Sequence, residues 1–310
     1  MTYNVGNTIV ASNYNTFRGS HGPNVAYENA TVATNCVAAL IGVGYGNRGY
    51  GQSNVTLNSV TVGNVITEND WNVLRNVMGN INIHQGNVVT LQNVVVSGNV
   101  IQAFDGSNSR SNIPTIISTL DSNRLSFNPG QMTLSAVLTS NTSTTWNTSV
   151  YHEFTVTFGS EDIARYFFNA GGQVYLAGGT TGGNASTIDN TLSTLFTNIG
   201  TVKFSANATT YTGSGGTGSS IGYYNLNTSY QSLFTGNYLS STYVVTAKAE
   251  SIVGNNGANG STIRFRANVN TGSASYVTVN ATTYSNISQL ISSGVVTVTA
   301  PSFATTHQLS

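Results

Sequence analysis

The chain has 310 residues, enough for two domains with separate cores. Hydrophobic residues make up 39% and charged residues only 6%, against roughly 25% charged in an ordinary globular protein. Ten basic residues balance ten acidic ones, so no electrostatic footprint for nucleic acid or an anionic membrane is present.

Asn, Thr, Ser and Gly take the surface positions that Lys and Glu usually hold. With 33 glycines and 4 prolines among many Val, Ile, Thr and Tyr residues, the composition predicts a folded, β-rich chain. A neutral surface also offers little protection against self-association, which suits permanent assembly and equally suits a surface that resists swings in salt. Cys36 is the single cysteine, so no disulfide forms within the chain, and its apolar run (36–41) reads as a buried structural thiol. No basic-flanked leader and no apolar stretch of membrane-spanning length is seen, so synthesis in a host cytoplasm is expected.

In chain order, Ser12, Tyr14 and Phe17 predict a short helix over 12–18. Residues 42–51, GVGYGNRGYG, form a glycine–tyrosine loop without the Gly-Lys-Ser/Thr of a phosphate cradle. Tyr45 and Tyr50 are expected to pack or to contact a neighbour. Arg48 between them has three options: an acidic partner, an aromatic face or solvent. Alternating Val55, Leu57, Val60, Val62 and Val65 predict one or two strands over 55–66. Thr67 with Asp70 three residues on is a capping box, and Trp71, Leu74, Val77, Met78 and Ile81 continue an amphipathic helix over 68–83. Residues 87–100 suggest a further strand pair, and 105–112 (DGSNSRSN) has the composition of a loop or linker.

The most ordered local signal lies at 151–179. Phe154, Val156 and Phe158 alternate as in a half-buried strand. Ser160, Glu161 and Asp162 then open a helix carrying Ile163, Ala164, Phe167 and Phe168, and Gly171-Gly172 ends it before Val174, Tyr175 and Leu176. Arg165 can pair with Glu161 or Asp162 on its own helix or reach a neighbouring subunit. Tyr166, Phe167 and Phe168 cannot all face one side of a helix, so at least one meets another element or chain. Beyond this unit the pattern predicts a helix capped by Thr187, a strand at 202–206 and a hairpin pair over 238–250 and 262–269. Arg264 and Arg266 fall on the polar face of that pair, opposite Phe265. Ile287, Leu290 and Ile291 suggest a helical turn or two, and 295–298 a closing strand.

The whole reads as α+β and β-rich. An N-terminal mixed α/β module (1–110) is followed by a linker or edge strands (111–148), then by an antiparallel-sheet or sandwich domain with short helices (149–310). Adjacent carboxylates sit at helix starts, where capping explains them. His21, His84, His152 and His307 lack the spacing of a zinc site, and no nucleophile elbow occurs. Hence no catalytic residue, cofactor or metal is assigned.

Several blocks resemble virion structural proteins of T4-like marine and cyanobacterial tailed phages: ARYFFNAGG (164–172), GVGYGNRGYGQ (42–52), Trp71-Asn72-Val73-Leu74-Arg75 and His84-Gln85-Gly86. The blocks span most of the chain and fall in the same order. The resemblance implies a non-enzymatic virion component of the neck, tail, baseplate or fibre-attachment region. Its partners would be copies of itself and other virion proteins, and Tyr45, Arg48, Tyr50, Arg165 and Tyr166 are the candidate interface residues. The alternative is a host-surface module that binds glycan through Tyr223, Tyr224, Tyr230 and Tyr238. A polysaccharide depolymerase has only generic carboxylates behind it.

Overall fold

The computed structural model describes residues 8–32, 34–99, 101, 112–142, 145–252, 254–272 and 278–309. Most of the expected linker at 105–112 therefore lies outside the described residues. Four helices build the N-terminal module: α1 (Ala11–Arg18), α2 (Val37–Ile41), α3 (Glu68–Gln85) and α4 (Ile113–Ser122). α3 starts where its capping box predicts, with Thr67 Oγ1 accepting from Asp70 N at 3.1 Å and Asp70 Oδ2 accepting from Thr67 N at 3.0 Å. Trp71, Leu74, Met78 and Ile81 then bury one stripe of α3 against Tyr14, Leu40, Ile116 and Leu120.

Residues 55–66 form no strand, and neither does the described part of 87–100. Their alternation is real, but no neighbouring strand supplies a ladder. Carboxamide side chains stand in for one. Asn15 donates to Val60 O at 2.7 Å and accepts from Val60 N at 3.0 Å. From α3, Asn72 makes the same two-point clasp on Val95 (2.8 and 3.0 Å), and Asn82 makes it on Val89 (2.9 and 3.0 Å). Each carboxamide offers one donor and one acceptor side by side, as a strand edge does. The backbone is thus satisfied without a sheet.

The second part is a sandwich. One sheet holds β1 (Met132–Asn141), β3 (Gln173–Thr181), β4 (Thr201–Phe204), β5 (Thr209–Tyr211) and β10 (Thr282–Ser292) in the order β1-β10-β3-β4-β5. The other holds β2 (Ser149–Thr157), β6 (Gly216–Thr217), β7 (Gln231–Tyr238), β8 (Ser241–Ala249), β9 (Thr262–Asn270) and β11 (Ser302–Leu309) in the order β11-β2-β9-β8-β7-β6. Among the described residues all strand pairings are antiparallel. Phe154, Phe265, Ala267 and Val245 face inward, while Arg264 and Arg266 face out, as their alternation predicts. α6 (Thr187–Ile199) buries Leu192, Leu195 and Phe196 in the same core; its cap is Ser186, one residue earlier than expected.

The unit at 151–179 is strand, helix, strand, with α5 (Glu161–Asn169) in the middle. Its two strands belong to different sheets, so α5 is the crossover between them. Residues 287–291 are part of β10 and not helical. The spacing of Ile287, Leu290 and Ile291 imitates a helix, but the buried positions alternate and include Thr283, Ser285 and Gln289. Residues 295–298 form no strand, only an isolated bridge from Thr297 to Ser293; the sheet is closed instead by β11, which carries no strong sequence signal. α4 belongs to the N-terminal core and β1 is an edge strand of the sandwich, so the segment 111–148 divides between the two cores.

Candidate functional site: a polar junction between the two modules

The five residues singled out from sequence converge on one place, and it lies inside the chain. α5 is started by Ser160 Oγ, which accepts from Ile163 N at 3.2 Å, with Glu161 and Asp162 in the first turn. This presents Arg165 to the glycine–tyrosine loop. Arg165 is wholly buried, and its five N–H groups are all used. Nη1 donates to Arg48 O at 2.7 Å and Gly46 O at 3.3 Å, and Nη2 donates to Val43 O at 2.6 Å. Nη2 and Nε also reach Asp162 Oδ1 at 2.9 and 3.1 Å. The local ion pair expected for Arg165 is therefore present. In the place of a neighbouring subunit stand backbone carbonyls of its own chain.

One turn further on, Asn169 Nδ2 donates to Gly46 O (3.0 Å) and Gly49 O (3.1 Å). The Tyr224 hydroxyl stands 2.7 Å from both Gly46 O and Asn169 Oδ1. Asn256 closes the other side, its carbonyl accepting from Gly46 N at 2.7 Å and its Nδ2 donating to Asp162 Oδ2 at 3.1 Å. The loop can approach so closely because of its glycines. Gly51 has φ +68° and packs on the Tyr166 ring, where a Cβ would come within 2.3 Å of a ring carbon. Arg165 Cζ lies 4.7 Å from the centroid of the same ring.

The loop is held equally firmly to its own module. Arg48 makes a two-pronged pair with Asp121 of α4, at 2.6 and 2.9 Å. Arg124 reaches Asn47 Oδ1 at 3.1 Å; burial and the charge of Arg48 lower its pKa, and Asp121 opposes them. Tyr50 is buried, donates to Arg124 O at 2.8 Å and accepts from Gln85 Nε2 at 2.9 Å. The His84 ring meets Tyr50 edge-to-face with centroids 5.0 Å apart. Neither His84 nitrogen makes a well-formed hydrogen bond, although the Ala170 backbone faces the ring, and burial lowers its pKa to about 4. Tyr45 packs on Tyr27, Cys36 and Ala39. Gln52 clasps Thr297, donating to its carbonyl at 2.8 Å and accepting from its N–H at 3.3 Å.

Asn169, Asp121 and Asn256 complete this junction and were not singled out from sequence; Tyr224, considered there for glycan binding, joins them. Asn169 stands within ARYFFNAGG, but nothing local marks Asp121 or Asn256. A cleft of about 390 Å3 opens beside the junction, lined among others by Ser53, Asn54, Tyr166, Thr297 and Thr299. It offers a ligand hydroxyls, a carboxamide and a tyrosine ring.

The tyrosines considered for glycan binding are placed otherwise. Tyr223 is wholly buried, stacks on Phe168 at 4.6 Å and donates to Gly260 O at 2.9 Å. Tyr224 belongs to the junction. Tyr230 has Arg266 Cζ 4.2 Å from its centroid and donates to Glu153 Oε2 at 2.8 Å. Tyr238 packs partly against the sandwich core. Among the described residues no group of three or more His, Cys, Asp or Glu side chains is placed to hold a metal ion, and no helix is long and apolar enough to cross a membrane. Comparison with protein-family profiles, curated proteins and solved structures finds no match to this chain.

Proposed function

We propose that this chain is a non-enzymatic structural component of a tailed-phage particle, and that its task is to hold two modules at a fixed mutual angle. One observation carries the reading. Three of the four blocks that resemble phage virion proteins meet at the junction: the glycine–tyrosine loop, His84-Gln85 and the Arg165–Asn169 face of α5. Chemistry shared among relatives would concentrate such blocks around a reactive cleft. Here they surround a buried polar contact, centred on the fully bonded Arg165, that fixes geometry.

Zero net charge and a surface of Asn, Thr and Ser agree with permanent association with further copies and other particle proteins. Placement in the neck, tail, baseplate or fibre-attachment region follows from the resemblance. Burial of Tyr223 and the internal bonds of Tyr224 weigh against glycan recognition through those rings. Immunogold labelling of purified particles with antibody to this chain tests the proposal. Label at the neck, tail or baseplate is expected; particles without label, or label restricted to fibre tips, would overturn it.

A further inference from the structure

A histidine inside the sandwich is left with an unused lone pair. His152 on β2 is wholly buried, and its Nδ1 lies 3.0 Å from Ser140 Oγ on the edge strand β1. Ser140 donates its own proton to Thr306 O on β11, at 3.3 Å. A hydroxyl that has given its proton away can only accept, so the His152 ring proton sits on Nδ1. The neutral ring has one N–H, which leaves Nε2 as a bare acceptor, and Nε2 has no partner. Such orphaned buried groups are rare and point to a water or an ion. Directly opposite His152 in the β2–β11 register is His307, exposed, with its ring centroid 6.4 Å away.

We propose that His152 Nε2 and the His307 imidazole together bind a divalent transition-metal ion of the zinc, cobalt or nickel type, with water completing the coordination. Paired imidazoles select these ions over magnesium or calcium, which prefer oxygen. The Nδ1–H bond to Ser140 is the outer bond that orients a metal-binding histidine and fixes its tautomer. Metal–nitrogen bonds of about 2.0–2.1 Å require the two rings to draw together. His152 is buried, whereas the exposed His307 can change rotamer, and its exposure gives the ion a path in. The ion would pin β11 to β2.

The test is titration of the untagged full chain with Co2+, followed by visible absorption and thermal unfolding. Saturable binding, a d–d band and a raised Tm are expected. His307→Ala abolishes all three while leaving the metal-free Tm unchanged, because the ring is exposed; His21→Ala leaves binding intact. Absence of saturable binding, or binding that survives His307→Ala, overturns the proposal.

Discussion

At Arg165 a full positive charge is held away from water by three carbonyls and one carboxylate, so its worth lies in what its loss would leave behind. Arg165→Ala strands the carbonyls of Val43 and Arg48 and frees Asp162 from its main partner, while Gly46 O keeps Asn169 and Tyr224. Breaking a buried pair from one side costs about 3–5 kcal/mol, and urea unfolding should show a loss of that size. Gly51→Ala forces a side chain into a left-handed position and against Tyr166, at a cost of at least about 2 kcal/mol. Adding Tyr166→Ala should restore part of that loss, and a double-mutant cycle with no coupling would rule out the contact as its cause. Two buried histidines set the acid response. The folded-state pKa values of His84 and His152 are lowered to about 4 from 6.5, so between those pH values the unfolded chain binds more protons than the folded one. Stability therefore falls as pH drops from about 6.5 to 4, by roughly 3 kcal/mol per histidine. A flat unfolding free energy over that range would contradict the assignment.

Elements were legible in the sequence where their signals are local. α3 and α5 carry cap, first-turn acids and apolar stripe within a single run, and both form where expected. The extended segments of the N-terminal module were not legible, because their partner is a side chain: Asn15 clasps a valine 45 residues away. Alternation reports which side chains are buried, not whether a strand stands alongside. β10 misleads for a related reason, since its polar inward residues hide its period of two. The five junction residues could be chosen from sequence, but the partner of Arg165 could not: a glycine loop's carbonyls have no residue signature. The clasps allow a test at this scale. Asn82→Leu removes both bonds to Val89 at a cost of about 1–2 kcal/mol. Hydrogen exchange should then show the Val89 amide losing protection while Val95, held by Asn72, keeps its own.

For the molecule as a whole, the junction joins two cores, with Ala170 and Val296 from the sandwich side buried in the N-terminal one. The modules should therefore unfold in a single transition, and Arg165→Ala should split it into two; calorimetry distinguishes these outcomes. The order of strands within the sheets has a different consequence, one of timing. β1 pairs with β10, and β2 with β11, its partner residues Thr157 and Ser302 lying 145 positions apart in the chain. On the ribosome, β1 and β2 emerge long before either partner exists, and local pairing cannot substitute. The helical N-terminal module can assemble while translation continues, but the sandwich has to wait for nearly the last residue of β11. Until then β1, which carries no charge, stands open to the same strand on neighbouring nascent chains.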